Sequence, residues 1–208
     1  MLSDVAAEGV HDPGLMPFGV PWTDGTPAER GRAVVKYHWF LLQKIEAASW
    51  TIPFAVFDAD GTVLGMQDLG ARDFALTGQV GTGSWLGTRF HGGGLGTEMR
   101  AAVLHLAFEG LGAQVAVSSA HVDNPASLAV SRKLGYRENG TERVVPRGEL
   151  NTLQRLIVDR ESWERHRTVP VEIHGLDDEV RRMLGIPDDA GPADTTSTGP
   201  AGELRVRL

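Results

Sequence analysis

Cysteine is absent from all 208 residues. The chain therefore has no disulfide, no thiolate nucleophile and no cysteine-ligated metal, and a reducing compartment is permitted. No apolar run approaches the roughly 20 residues that cross a bilayer as a helix. The first residues, Met1–Val10, lack the charged-then-apolar layout of a secretory signal. Positive charge is in deficit: 20 Lys and Arg stand against 27 Asp and Glu, for a net charge of −7. That argues against nucleic acid or an acidic membrane as the partner. The expectation is a soluble cytoplasmic protein with no nucleic-acid, membrane or metal partner. With 41% hydrophobic residues it can build a sizeable core, and its length suits one domain with additions.

What is present centres on His91-Gly92-Gly93-Gly94-Leu95-Gly96-Thr97. It follows a predicted strand, 79–86, and opens a predicted helix, 94–109. Glycines uncover backbone N–H groups and permit φ > 0. A helix N-terminus adds about half a positive charge. Together these can hold phosphate oxygens, although a glycine-rich turn by itself could equally be a hairpin or a linker.

Around this stretch the chain reads as a mixed α/β domain. Leu2, Val5 and Ala6 share a helical face that Gly9 would stop. The loop 11–25 is rich in Pro and Gly, yet carries Met16, Phe18 and Trp22, which either cap the core or line a pocket. Thr26-Pro27-Ala28-Glu29 is a capping box with Pro first inside, so a helix should run to about Ala47. Strands are predicted at 50–57, 62–69 and 79–86, the first two joined by the Asp58–Gly61 turn. Leu95, Met99, Val103 and Leu106 recur at core spacing in the crossover helix. A buried strand at 114–119 precedes a helix capped by Asn124, with Pro125 first inside and Gly135 at its stop. Residues 136–141 and 150–158 form a last antiparallel pair. In such sheets ligands favour the carboxyl ends of strands.

Two separated motifs in this order, the glycine loop and then Asn124-Pro125-Ala126-Ser127 with Lys133-Leu134-Gly135-Tyr136, resemble the GCN5-related N-acetyltransferase (GNAT) superfamily. The branch most resembled is that of the ribosomal-protein N-terminal acetyltransferases. The resemblance covers residues 1–163. It implies a GNAT-like, mostly antiparallel twisted sheet flanked by helices, with acetyl-CoA as co-substrate and an amine as acceptor, small molecule or protein N-terminus. It also implies cofactor contacts from Leu86, His91, Gly92, Gly93, Gly94, Leu95, Gly96, Thr97, Asn124 and Lys133. His91 stands where the family has Gln or Arg; it either donates to phosphate when protonated or is a solvated loop histidine. Asn124 either orients the pantetheine arm or caps its helix, and both roles are compatible. Ser127 either protonates the leaving thiolate or bonds its own backbone. Direct attack of an amine on a thioester needs no protein nucleophile. It needs orientation, a backbone N–H near Leu86 on the carbonyl oxygen and a base. His121, just beyond the fourth strand, is the base candidate, with a surface or capping role as its alternative. His38 and Glu46 are weaker, His105 reads as structural, and Tyr136 as core.

The ends depart from the family pattern. The family's opening strand is missing, whereas Glu203-Leu204-Arg205-Val206-Arg207-Leu208 alternates like one. The expected organisation is an acetyltransferase domain at 1–167, a strand–helix extension at 168–186, a flexible linker at 187–202, and a terminal strand, 203–208, filling the first-strand slot in cis or in a swapped homodimer. Monomer and homodimer are both open. The competing function is a non-catalytic acyl-CoA-binding regulatory module. The absence of a Gly-Lys-Ser/Thr ending argues against a P-loop.

Overall fold

The first long helix starts where its capping chemistry puts it. Thr26 Oγ1 accepts the Glu29 N–H at 3.4 Å, and Glu29 Oε2 accepts the Thr26 N–H at 2.8 Å. This reciprocal pair satisfies two donors that have no helical partner. The helix, α2 (Pro27–Gln43), follows the short α1 (Leu2–Glu8), which ends at Gly9. α2 stops short of the expected Ala47, because a bridge between Glu46 and Ser49 already turns the chain into the sheet. The computed structural model describes residues 1–167, 169–187 and 204–208. The proposed linker, 187–202, lies outside the described residues apart from Pro187, as does Glu203.

Six strands form the main sheet in the order β1-β2-β3-β4-β6-β5: β1 Ser49–Phe57, β2 Val63–Arg72, β3 Gln79–Leu86, β4 Val115–His121, β5 Arg137–Val144 and β6 Asn151–Asp159. Every neighbouring pair is antiparallel except β3 with β4. At the β1–β2 turn, Asp58 Oδ1 accepts the N–H groups of Asp60 at 3.0 Å and Thr62 at 2.8 Å. This Asx-type closure suits Asp at a turn. The parallel pair is joined by α4 (Leu95–His105), a π-turn at Leu106–Gly110 and a short return. The helix α5 (Pro125–Lys133) joins β4 to β5. Two short helices escaped the sequence reading: α3 (Phe74–Thr77) between β2 and β3, and α6 (Arg160–His166), capped by Asp159.

One face of the sheet carries the core. Leu69, Val80, Ala116, Leu156 and Val158 share it with Leu104, Leu106 and Phe108 from α4 and the π-turn, and with Leu111 just after. Trp163 of α6 stacks on Phe108 with 5.0 Å between centroids. The π-turn frees backbone carbonyls, and arginines take them up. Arg160 donates to the Phe108 carbonyl, and Arg181 Nη2 donates to the Gly110 carbonyl at 2.9 Å. On the other face a smaller cluster joins Val5, Ala6 and Val34 of α1 and α2 to Met66 and Trp85. Phe18 and Trp22 of the loop 11–25 pack against it, the core-capping alternative for that loop. Arg147 holds the same loop through Asp24 and the Pro13 carbonyl.

The terminal segment corrects an expectation. Leu204–Arg207 is a strand, β8, but it does not fill a first-strand slot beside β1. It pairs in parallel with β7 (Val171–His174) in a separate two-stranded sheet, Val171 opposite Leu204 through His174 opposite Arg207. Its alternation explains why. Val206 faces inward, 7% exposed, in the same core as Ile173 and Leu176, while Arg205 Nε meets Glu172 Oε2 at 3.0 Å. A strand with one apolar face needs a free edge above an apolar layer, and β7 provides both. α7 (Asp178–Met183) follows β7. Just beyond it, the Leu184 carbonyl accepts the Trp50 indole N–H at 2.8 Å, tying this extension to β1.

Candidate active site

β3 and β4 do not stay together. Their ladder covers only Gln79–Gly81 against Val115–Val117, yet β3 continues to Leu86 and β4 to His121. Past Gly81 the strands part. Ser118 Oγ spans the start of the gap to the Thr82 carbonyl at 3.2 Å. Strand residues alternate in direction with a period of two. The amides of Ser84 and Leu86 therefore face the gap, as the Thr82 carbonyl does. Leu86, expected to present an N–H to a thioester, sits on that edge.

The glycine loop closes the end of the gap. Gly92 and Gly94 have φ of 82° and 87°, so an L side chain would be strained there. Gly94 is the N-cap of α4. A Cβ on Gly92, Gly93 or Gly94 would meet nothing within 4 Å, which leaves the loop's surface open to a ligand. The Gly94 carbonyl accepts the Thr97 N–H at 2.8 Å. The Thr97 amide is thereby taken into the helix's first turn. The donors left without an intrahelical partner are those of the loop, Leu95 and Gly96. His91 Nε2 lies 3.1 Å from the Leu86 carbonyl, so the ring ties the loop back to the strand end.

Asn124 and Ser127 come together at the start of α5, where Asn124 Oδ1 accepts the Ser127 N–H at 3.1 Å. The carboxamide oxygen is thus a helix cap, and the NH₂ end is what it has to offer a ligand. Lys133 is exposed in the last turn of α5. His121 is fully buried, and neither ring nitrogen has a hydrogen-bond partner among the described residues. It is not among the residues lining the cleft described next. His38 bonds the Val34 carbonyl of its own helix at 2.8 Å, and His105 packs 6.0 Å from Trp163. Tyr136 is buried, as its sequence position suggested, but its hydroxyl is 3.4 Å from Thr82 Oγ1 at the edge of the gap.

On the sheet face that α4 does not cover lies an open cleft of about 760 Å³, lined by Tyr37, Thr51, Asp68, Ser119, Glu142 and Arg155 among others. Asp68 was missed by sequence reasoning. Its Oδ1 accepts the Gly83 N–H at 2.5 Å, and Tyr37 lines the same cleft. Burial pushes its carboxyl above the usual range, against the opposing pull of the Gly83 N–H, Arg100 and Tyr37. Burial, with the Asp68 charge added, pushes the Tyr37 phenol up to about 12, so it stays a donor at neutral pH. Beside Asp68, Gln67 Nε2 donates to the Gly83 carbonyl at 2.7 Å, so two polar side chains bridge β2 and β3 where β3 leaves β4. The available signal was a Gln-Asp pair inside an otherwise apolar strand, Val63-Leu64-Gly65-Met66-Gln67-Asp68-Leu69.

A mixed sheet whose one parallel pair splits beside a glycine-capped helix, with a polar cleft at the split, is the arrangement that the resemblance to acyltransferases implies. A family model described as the acetyltransferase (GNAT) domain matches residues 2–137. The chain belongs to the GNAT acetyltransferase family, and the protein is an acyltransferase. Solved structures agree in fold. A spermidine N-acetyltransferase from Vibrio cholerae, in complex with CoA and spermine, is 15% identical over 67% of this chain and 81% of that one, with a TM-score of 0.55. A protein from the same organism assigned as a ribosomal-protein-serine acetyltransferase is 18% identical over 64% and 75%, with a TM-score of 0.53. Another protein assigned as an acetyltransferase is 21% identical over 80% and 86%, with a TM-score of 0.63.

Proposed function

We propose that the protein transfers an acetyl group from acetyl-CoA to a primary amine by direct attack. The observation that carries this reading is the parting of β3 from β4 immediately before the glycine-capped α4. A thioester threaded through the gap would have its pyrophosphate on the loop and helix amides, and its carbonyl oxygen would face the amides of Ser84 and Leu86. Asn124 would orient the pantetheine arm, with Ser127 beside it as a hydroxyl donor. The amine would enter from the cleft, where Asp68 can accept its proton; a carboxyl held above its usual range is a better base than a solvated one. The structural relative with CoA and spermine bound supports both the cofactor and the amine class. A carboxylate at the cleft favours an acceptor that arrives as a cation, whether a small amine or a protein N-terminus.

The test is calorimetric titration of acetyl-CoA into the wild type and into Gly94→Glu, followed by an amine screen read by thiol release. Micromolar binding lost in the variant, and thiol release that depends on an added amine, are the expected results. Binding without turnover across amines would favour the regulatory-module reading. No binding to the wild type would refute the proposal.

A further inference from the structure

Arg100 is buried on α4, the helix between β3 and β4. Its Nη1 donates to Ser131 Oγ of α5 at 2.9 Å, and its Nη2 to Ser84 Oγ of β3 at 3.1 Å. Its Nε is buried and has no hydrogen-bond partner among the described residues. The guanidinium thus reaches from β3, on one side of the gap, to the helix that follows β4, on the other. Both of its hydrogen bonds go to neutral hydroxyls, and no ion pair among the described residues includes it. A buried charge normally needs a paired counter-charge. The Asp68 carboxylate acts on it through its charge, and Ser131 is itself fully buried, its hydroxyl donating to the Ser127 carbonyl at 3.1 Å. A cation held so firmly, with one donor unspent, is built for negative charge that is present only part of the time.

We propose that Arg100 is that counter-charge for the reaction: its guanidinium, aligned by Ser84 and Ser131, stabilises the sulfur as it leaves acetyl-CoA. This rests on the acetyl-CoA reading above. The amine nitrogen bonds to the thioester carbon and the C=O electron pair moves to oxygen. The amine proton goes to Asp68 or to water. The oxygen pair then re-forms the carbonyl as the C–S bond breaks, and sulfur departs with that bond's electrons as a thiolate facing Arg100. It takes up a proton when CoA leaves. Ser127 is then not required as an acid, and Ser131, one turn further along α5, has the positioning role. In the sequence the signal is a lone Arg among apolar residues, Met99-Arg100-Ala101-Ala102-Val103-Leu104.

The decisive measurement titrates the thiol of CoA bound to the wild-type protein, followed by the ultraviolet absorbance of the thiolate. Bound CoA should ionise at least one pH unit below free CoA, and Arg100→Met should abolish that difference. Arg100→Met should lower kcat about 100-fold, the scale of losing one preorganised donor to developing charge, with acetyl-CoA affinity changed less than about threefold. Arg100→Lys should recover part of the rate. The melting temperature of Arg100→Met should hold or rise, since exchanging a buried charge for an apolar chain is often neutral or stabilising. CoA that titrates on the wild type as it does in solution would overturn the proposal, even if the variants fail to fold. So would an Arg100→Met enzyme with the wild-type kcat. Failure of the wild type to bind CoA at all would overturn the acetyl-CoA reading first, and this proposal with it.

Discussion

Adjacent glycines in the loop should respond oppositely to the same methyl group. Gly94 has φ of 87°, whereas Gly93 lies outside the left-handed region, and a Cβ at either site meets no atom within 4 Å. Sterics between residues therefore cancel from the comparison, leaving backbone conformation. Gly94→Ala costs about 1–2 kcal/mol of left-handed strain, offset by roughly 0.4–1 kcal/mol from the less flexible unfolded chain. The net loss of about 1 kcal/mol should lower the melting temperature by about 2–4 °C for a domain of this size. Gly93→Ala keeps the unfolded-state gain without the strain, so it should hold or raise the melting temperature by about 1–3 °C. Ligand binding should separate them further. The Gly94 carbonyl accepts the N–H groups of Thr97 at 2.8 Å and Glu98 at 3.2 Å, so relaxing residue 94 rotates the first turn and misdirects its free amides. Losing one amide bond to a charged phosphate is worth about 1.5–3 kcal/mol, or about 10- to 150-fold in Kd. Calorimetry with acetyl-CoA alongside thermal melts checks both halves. Equal effects of the two substitutions would refute the assignment of Gly94 as the conformationally demanding position.

Asp68→Asn should lower kcat by about 10²–10⁴-fold, the range for loss of a general base, and remove the acidic limb of the pH–rate profile. Stability should move the other way. A carboxyl whose folded pKa is raised stabilises the fold fully only below its unfolded pKa, and that contribution is lost as pH rises through the folded value. Asp68 is raised by burial, so at pH 7 its ionised form is a cost that Asn removes. The variant should melt no lower than the wild type at pH 7, and a wild-type rate would exclude Asp68 as the base. Deleting Leu204–Leu208 exposes the surface that Val206 covers. About 2 kcal/mol of apolar burial is lost, so the melting temperature should fall by about 4–8 °C while acetyl-CoA affinity stays within about threefold. An unchanged melting temperature would show that β8 contributes nothing to the fold.

Local chemistry made much of this protein legible before folding is considered. Thr26 and Glu29 closed their box, Asn124 capped α5, and Gly9, Gly94 and Gly135 took the positive-φ positions at helix ends. In each, the deciding interaction spans only a few residues, so it is written in neighbouring letters. Alternation marked Leu204–Arg207 as a strand but not its partner, because an alternating strand states which face is apolar and not which edge it joins. The centre of the candidate site was illegible for a related reason. Asp68 has its carboxyl raised by burial, against the pull of Gly83 on a neighbouring strand, and Arg100 takes its setting from Ser84 and Ser131. Burial of a charge is a property of everything packed around it. Only the tertiary structure, by parting β3 from β4, decided where these two residues sit: Asp68 on the cleft face and Arg100 under the α4 face.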